Sequence, residues 1–252
     1  KEGHIVKNAL PPQIEDLDSL PFPDRDVYYS RYEFLLNNPV KNFLCSRGCP
    51  FNCSFCFNQT YRDIYSECGH AIRPRMRSPE NVIEEIGWFR SKWPLEKIAF
   101  QDENFCLDKK WLYRFLELYS SKAGLPFFCM LNAAIVDEEL IAALKTAGCH
   151  HTTFGVESGD QRLRRKILKK VVSDDKIRLA AELLRKNGIT FHTTNIFCFP
   201  GETVESAIRT IKFNAEIKPD STIAFRYMPF ANLELTKEAV EKKYLRPEQA
   251  TD

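Results

Sequence analysis

From about Asn42 to Met228, short apolar runs alternate with amphipathic stretches of helical length, and no other feature restricts the fold so strongly. Six runs have strand character: NFLC from Asn42, KIAFQ from Lys97, FFCML from Phe127, TTFGVE from Thr152, TFHTTNIF from Thr190 and TIAFRYM from Thr222. The helices between them have recognisable ends. Ser78-Pro79-Glu80 offers an N-cap, a proline at the first helical position and an acid in the first turn, ahead of Val82, Ile86 and Phe89 on one face. Asp108 starts a helix with Leu112, Phe115, Leu116 and Tyr119 at core spacing. Asp137 caps one that stops at Gly148, and Ser173 caps one that stops at Gly188. Thr203 caps a last one, with Val204, Ala207, Ile208 and Ile211 expected inward.

This pattern predicts an α/β chain, an open partial (β/α)6 TIM-like barrel of parallel strands, over residues 41–229. Ligands in such sheets collect where strands end and the following loops begin. Residues 10–26, LPPQIEDLDSLPFPDRD, carry four prolines and keep the backbone extended, so residues 1–40 read as a linker or strap. Residues 230–252 are expected to form a helical tail. With 44% apolar residues the 252-residue chain buries a full core without disulfide staples. The start, KEGHIVKNALPPQ, has no signal-peptide pattern and no run is long enough to span a bilayer, so a cytoplasmic location with reduced thiols is expected. The formal charge of +2 supplies no field for nucleic acid or an acidic membrane; the strip RLRRKILKK from Arg162 to Lys170 is the local exception.

Four of the nine cysteines fall in CSRGCPFNCSFCFN, residues 45–58, directly after the first strand and therefore at the barrel mouth. Cys49, Cys53 and Cys56 have C-x3-C-x2-C spacing, which lets one tight loop aim three thiolates at a single centre. Structural zinc wants four ligands, and no second C-x2-C or H-x3-H pair completes the set. A ferredoxin-type cluster also wants four thiolates in a different spacing. Three ligands suit a four-iron cluster with one iron open to a substrate. Cys45 reads as an inert thiol on the strand itself, and Cys106, Cys129, Cys149 and Cys198 as small core residues. His150, His151 and His192 have no partner visible in the sequence.

The C-x3-C-x2-C loop after the first strand of a six-stranded barrel resembles the radical S-adenosylmethionine (SAM) superfamily. Asp102-Glu103-Asn104-Phe105 after the second strand, Gly155-Val156-Glu157-Ser158-Gly159 at the fourth and Phe199-Pro200-Gly201-Glu202-Thr203 after the fifth resemble the corresponding family segments in order and place. The resemblance implies a [4Fe–4S] cluster on Cys49, Cys53 and Cys56, with SAM chelating the open iron and being cleaved reductively to a 5′-deoxyadenosyl radical. It further implies Asp102 or Glu103 for the methionyl ammonium, Glu157 for the ribose hydroxyls and Lys169 for the carboxylate. Phe55 and Phe57 then cover adenine or shield the cluster, with Ser158 and Asn195 as further cofactor contacts.

The strap, the SRGCPFNCSFC segment and RMRSPENVIEEI at residues 75–86 look like the cobalamin-dependent branch, in which methyl transfer is the commonest reaction. That likeness implies a cobalamin held by a domain upstream of these residues, and a reductant such as flavodoxin or ferredoxin. Two other readings stay open: a non-catalytic iron–sulfur module that passes electrons to a partner, and a radical SAM cyclase or mutase without cobalamin. Two positions depart from the family pattern. Cys198 stands where glycine is frequent, and Leu131-Asn132 where a charged residue is.

Overall fold

The computed structural model describes residues 8–250, so the first seven residues of the expected strap and the last two of the expected tail lie outside the described residues. Six strands form one sheet in chain order: β1 (Val40–Phe43), β2 (Lys97–Phe100), β3 (Phe127–Met130), β4 (Cys149–Glu157), β5 (Thr190–Phe197) and β6 (Ser221–Arg226). All neighbours are parallel, with Phe43 opposite Phe100, Phe100 opposite Cys129 and Cys129 opposite Thr152. β1 and β6 do not pair with each other, and the barrel is open as expected. Cys45 lies two residues past the end of β1 rather than on it, because that strand occupies 40–43. Its thiol is buried, and burial pushes its pKa well above the ordinary thiol value, which makes it inert.

Helices α1 (Phe57–Glu67), α2 (Pro79–Lys92), α3 (Lys109–Lys122), α4 (Glu138–Thr146), α5 (Gln161–Lys166), α6 (Asp174–Lys186), α7 (Val204–Ile217) and α8 (Glu234–Glu241) follow in order. The caps expected from sequence are formed. Ser78 accepts from the Asn81 N–H at 3.1 Å, Asp108 from Trp111 at 2.9 Å, Asp137 from Leu140 at 2.9 Å and Ser173 from Lys176 at 3.2 Å. Thr203 and Ser206 satisfy each other's backbone N–H groups in a capping box. Gly148 and Gly188, at φ +99° and +61°, end α4 and α6 in the left-handed region.

The core lies between β1–β4 and the helices that cover them. Phe100 sits at its centre, with ring centroids 4.8 Å from Phe105, 5.4 Å from Phe115 and 5.6 Å from Phe127. The orientation of α7 differs from expectation: Val204, Ile208 and Ile211 are exposed, and the buried stripe is Ser206, Thr210, Phe213, Asn214 and Ile217. The cause is polar matching across the interface. Asn214 donates to Asn195 at 2.8 Å and accepts from Thr193 at 2.6 Å, so the helix turns its polar face to the polar outer side of β5. Gly159 enforces close approach, since a Cβ there would meet the Thr210 Cα at 2.6 Å.

The strap contains a 3-10 turn at Leu17–Ser19 and single helical turns at Asp26–Tyr29 and Glu33–Asn37, where the sequence suggested no regular element up to Asp26. Asp16 nucleates the first by accepting from the Asp18 N–H. Asp18 in turn accepts from the Ser78 N–H at 2.9 Å, and Arg25 shares the buried Glu85 with Arg77, which fastens the strap to α2.

His151 on β4 and His192 on β5 face each other, with ring nitrogens 2.7 Å apart, beneath the stacked ring of Phe128. Burial, then the neighbouring imidazoles, lowers the His151 pKa to about 4; burial also lowers that of His192. A depressed histidine pKa means that the unfolded chain binds more protons below the free value. Stability is therefore present above pH 6.5 and lost as the pH falls toward about 4. The expected loss is on the order of 1–2 kcal/mol after solvent screening, and His151→Asn should flatten the slope of Tm against pH in that window. An unchanged slope in that variant would assign the acid sensitivity elsewhere.

Candidate active site

The cysteine loop leaves the end of β1 and closes on the N-terminus of α1. Gly48 turns it at φ +87°. Arg62, one turn into α1, reaches back to the carbonyls of Cys49 and Phe51 and to the Asn52 side chain, fixing the loop from inside its own helix. Ser54 is fully buried and ties the loop to the chain beyond α5: its N–H donates to the Leu168 carbonyl at 3.2 Å and its hydroxyl to that of Ile167 at 2.6 Å. Cys49, Cys53 and Cys56 are free and partly buried, and Asn58 donates to the Cys56 Sγ at 3.6 Å.

Burial raises the Cys53 thiol to about 11, opposed by Lys170 and reinforced by Cys56, Glu157 and Cys49. Cys49 is raised by the same cause, with Cys56 and Glu103 adding to it. Three thiols that repel one another as thiolates form a site that cationic metal relieves. Among the described residues no three Cys, His, Asp or Glu side chains gather tightly enough for one ion. A cluster, with a separate iron for each thiolate, needs them wider apart than a single ion does.

The two acids after β2 separate in role. Asp102 is fully buried, and its carboxylate accepts from the Cys45 N–H at 3.0 Å and from the Ser46 hydroxyl. It anchors the start of the cysteine loop and has no face free for a ligand ammonium. Burial raises its pKa, while those hydrogen bonds oppose the shift. Glu103 is exposed near Cys49 and lines a 510 Å³ cavity with Gly48, Asn58 and strap residues Pro12 and Ile14. Asn104, one residue on, is 3% exposed, yet neither its amide oxygen nor its amide nitrogen has a hydrogen-bond partner. A buried amide so orphaned is costly, and a polar ligand removes the cost. Asn104 belongs to the Asp102–Phe105 segment after the second strand, and its place between Glu103 and the core Phe105 is the one sequence sign of a buried amide there.

Glu157 ends β4 at φ +62° and is almost fully buried. Lys170 Nζ donates to its Oε1 at 3.0 Å, and both charges act on Cys53. A Cβ at Gly155 would sit 1.8 Å from Glu157 Oε1 and 2.5 Å from Lys170 Nζ, so a side chain there would displace the ends of this ion pair. Lys169 is not beside Glu157; it is exposed and paired with Glu234 of α8. The left-handed backbone of Lys169, φ +50°, reverses the chain after α5 and brings the next residue to the site instead. Ser158 is a turn residue whose hydroxyl accepts from the Asp160 N–H at 3.2 Å. Asn195 is turned toward α7 and β6, donating to Thr222 at 2.7 Å, and does not join the mouth. Phe55 packs with Leu163, Leu168, Phe199, Tyr227 and Leu235, whereas Phe57 is exposed and contacts Phe230 at 5.1 Å.

The sequence profile of the Radical SAM superfamily matches residues 43–213. The chain belongs to the Radical SAM superfamily. The general activity of that superfamily is cleavage of SAM at a [4Fe–4S] cluster, driven by an external reductant. An uncharacterized methyltransferase of Pyrococcus horikoshii is 29% identical over 97% of this chain and 52% of its own length. The cytidylyl-2-hydroxyethylphosphonate methyltransferase of Streptomyces wedmorensis is 24% identical over 93% of this chain and 46% of its own. The radical SAM methyltransferase TsrM of Kitasatospora setae, solved with cobalamin and a [4Fe–4S] cluster, superposes with a TM-score of 0.69 at 17% identity, over 81% of this chain and 39% of that one. The chain thus spans about half the length of the curated relatives it matches. No helix among the described residues is long and apolar enough to cross a membrane.

The superfamily context explains the two departures in physical terms. Cys198 is exposed rather than a core residue, because it sits in the turn after β5; it has φ +62°, the left-handed region where glycine costs nothing, and its N–H is held by the Glu202 carboxylate of the same turn. Asn132 spends its side chain on a local turn, accepting from the Ala134 N–H at 3.0 Å.

Proposed function

We propose that this chain is the radical-generating barrel of a cobalamin-linked methyltransferase. The observation that carries the reading is the mouth itself, where three free cysteines on an anchored loop lie with the Glu157–Lys170 pair and Glu103. The residues fit the cofactors: Cys49, Cys53 and Cys56 hold the cluster, Glu157 accepts from the ribose hydroxyls, and Glu103 with Asn104 receives the amino-acid end of SAM. The bound cluster supplies the one-electron reduction that cleaves SAM. Lys170 donates to Glu157 and keeps its carboxylate aimed. Asp102 holds the loop, and Phe55 with its apolar neighbours keeps water from its inner side.

Support for cobalamin comes from TsrM, whose structure holds it, and from the methyltransferase relatives. In this reading the cobalamin is held by a domain that docks on the strap around Leu10–Asp26. Electrons come from flavodoxin or ferredoxin, and the protein works in the cytoplasm. A ring-forming reaction is the second reading, favoured by the anaerobic magnesium-protoporphyrin IX monomethyl ester cyclase of Rubrivivax gelatinosus, 27% identical over 96% of this chain.

These 252 residues, reconstituted anaerobically with iron and sulfide and reduced chemically, should release 5′-deoxyadenosine slowly and should not retain cobalamin through gel filtration. Absence of 5′-deoxyadenosine would return the chain to a plain electron carrier. Stoichiometric cobalamin on this chain alone would remove the need for a docking domain. Glu157→Ala should leave the iron–sulfur absorbance intact and weaken SAM binding by about 1–3 kcal/mol, the range for a lost hydrogen bond to a charged group. Unchanged affinity, read by equilibrium dialysis, would leave Glu157 only its ion pair with Lys170.

A further inference from the structure

From Gln161 to Ser173 the chain carries six Lys or Arg and no Asp or Glu, the one strong charge imbalance in the sequence. The structure divides these cations. Arg164 is fully buried, bonded to Asp174 and to the carbonyls of Ser158 and Val172, while Lys170 faces Glu157. Lys169 is exposed and paired with Glu234. Arg162, Arg165 and Lys166 are exposed on α5 and make no ion pair among the described residues. Val171, 68% exposed, adds an apolar spot to the same stretch.

The position of this face gives it a purpose. The carbonyls of Ile167 and Leu168, just past the last turn of α5, accept both hydrogen bonds from Ser54. Ser54 is the residue after Cys53, so the segment that follows the basic face is hydrogen-bonded directly to the neighbour of that thiol. We propose that the exposed face of α5, with Arg162, Arg165 and Lys166, is the docking surface for an acidic one-electron carrier protein. The inference rests on the radical SAM reading above, which requires a reductant. One electron leaves the carrier, which is oxidised by one equivalent, and enters the group held by the cysteines; no proton or covalent group crosses the contact.

Charge complementarity selects the class of partner. Unpaired exposed cations steer an acidic protein to this side and orient it, and do so less as salt is added. RNA is the other polyanion, but the strip lacks the aromatic side chains that stack bases, and it sits against the cysteine loop.

The test uses the full chain with an acidic flavodoxin as the probe. Binding of oxidised flavodoxin is titrated calorimetrically, and the rate of cluster reduction by its hydroquinone is followed anaerobically in the visible. The triple variant Arg162→Glu, Arg165→Glu, Lys166→Glu should weaken binding and slow reduction at least tenfold at low salt, and lose the salt dependence. Reduction by the small cation methyl viologen radical should be unchanged. Arg162→Gln alone should give a smaller loss of the same sign, and Lys122→Glu on α3 none. Equal binding and reduction in the triple variant and wild type would overturn the proposal, as would loss of tRNA binding with flavodoxin reduction intact. A wild-type cluster that takes electrons from flavodoxin through this face but releases no 5′-deoxyadenosine would instead sink the proposed function alone.

Discussion

Replacing any one of Cys49, Cys53 or Cys56 with Ala is expected to abolish iron loading and 5′-deoxyadenosine release together. Each thiol comes from a different point of one short loop, and that loop is held by Arg62 on one side and Ser54 on the other. The cysteines outside the loop sit on other segments: Cys68 follows α1 and Cys198 follows β5, both exposed. Cys106, Cys129 and Cys149 are buried in the core, and Cys45 is immobilised where its own N–H is bound by Asp102. Cys45→Ala should therefore keep iron, sulfide and SAM cleavage, at a cost of about 1 kcal/mol for a small buried side chain. Iron and sulfide analysis after anaerobic reconstitution checks both. Cluster loss in Cys45→Ala with retention in Cys49→Ala would assign the ligands differently.

The residues that were legible in the sequence are those whose role is decided within a few positions of themselves. Ser78, Asp108, Asp137, Ser173 and Thr203 cap helices through hydrogen bonds no more than three residues away, and the strands between them follow from apolar runs. The cysteine spacing is of the same kind. Where the reading failed, a tertiary partner decided. Apolar spacing put Val204, Ile208 and Ile211 inward, but Thr193 and Asn195 on the facing strand drew the polar side of α7 onto the sheet. Lys169 and Lys170 differ only in the backbone turn between them, which periodicity does not encode. Asp102 and Glu103 look equivalent in sequence, yet the loop after β1 consumes one carboxylate and leaves the other free. The His151–His192 contact spans 41 residues and joins two strands, so neither histidine carried a local sign of it.

Asn104→Leu should move stability and ligand binding in opposite directions. The Asn104 side chain is 97% buried by its 3% exposure, and its amide leaves one oxygen and one nitrogen without partners. Both atoms paid for desolvation on folding and recovered nothing within the protein. Leucine has nearly the same shape and no such debt, so the ligand-free variant should be more stable than wild type by about 1–2 kcal/mol, read as a higher Tm. The same change removes a donor and an acceptor beside Glu103, at the end of β2 that faces the cysteine loop. SAM affinity should fall roughly tenfold to a hundredfold, equivalent to about 1.4–2.8 kcal/mol, with the cluster still assembled. Asn104→Ala separates the two effects further, since it loses the amide but opens a cavity and so should not gain stability. A destabilised Asn104→Leu protein that binds SAM normally would mean that the amide is satisfied by something other than the ligand, and Asn104 would leave the site.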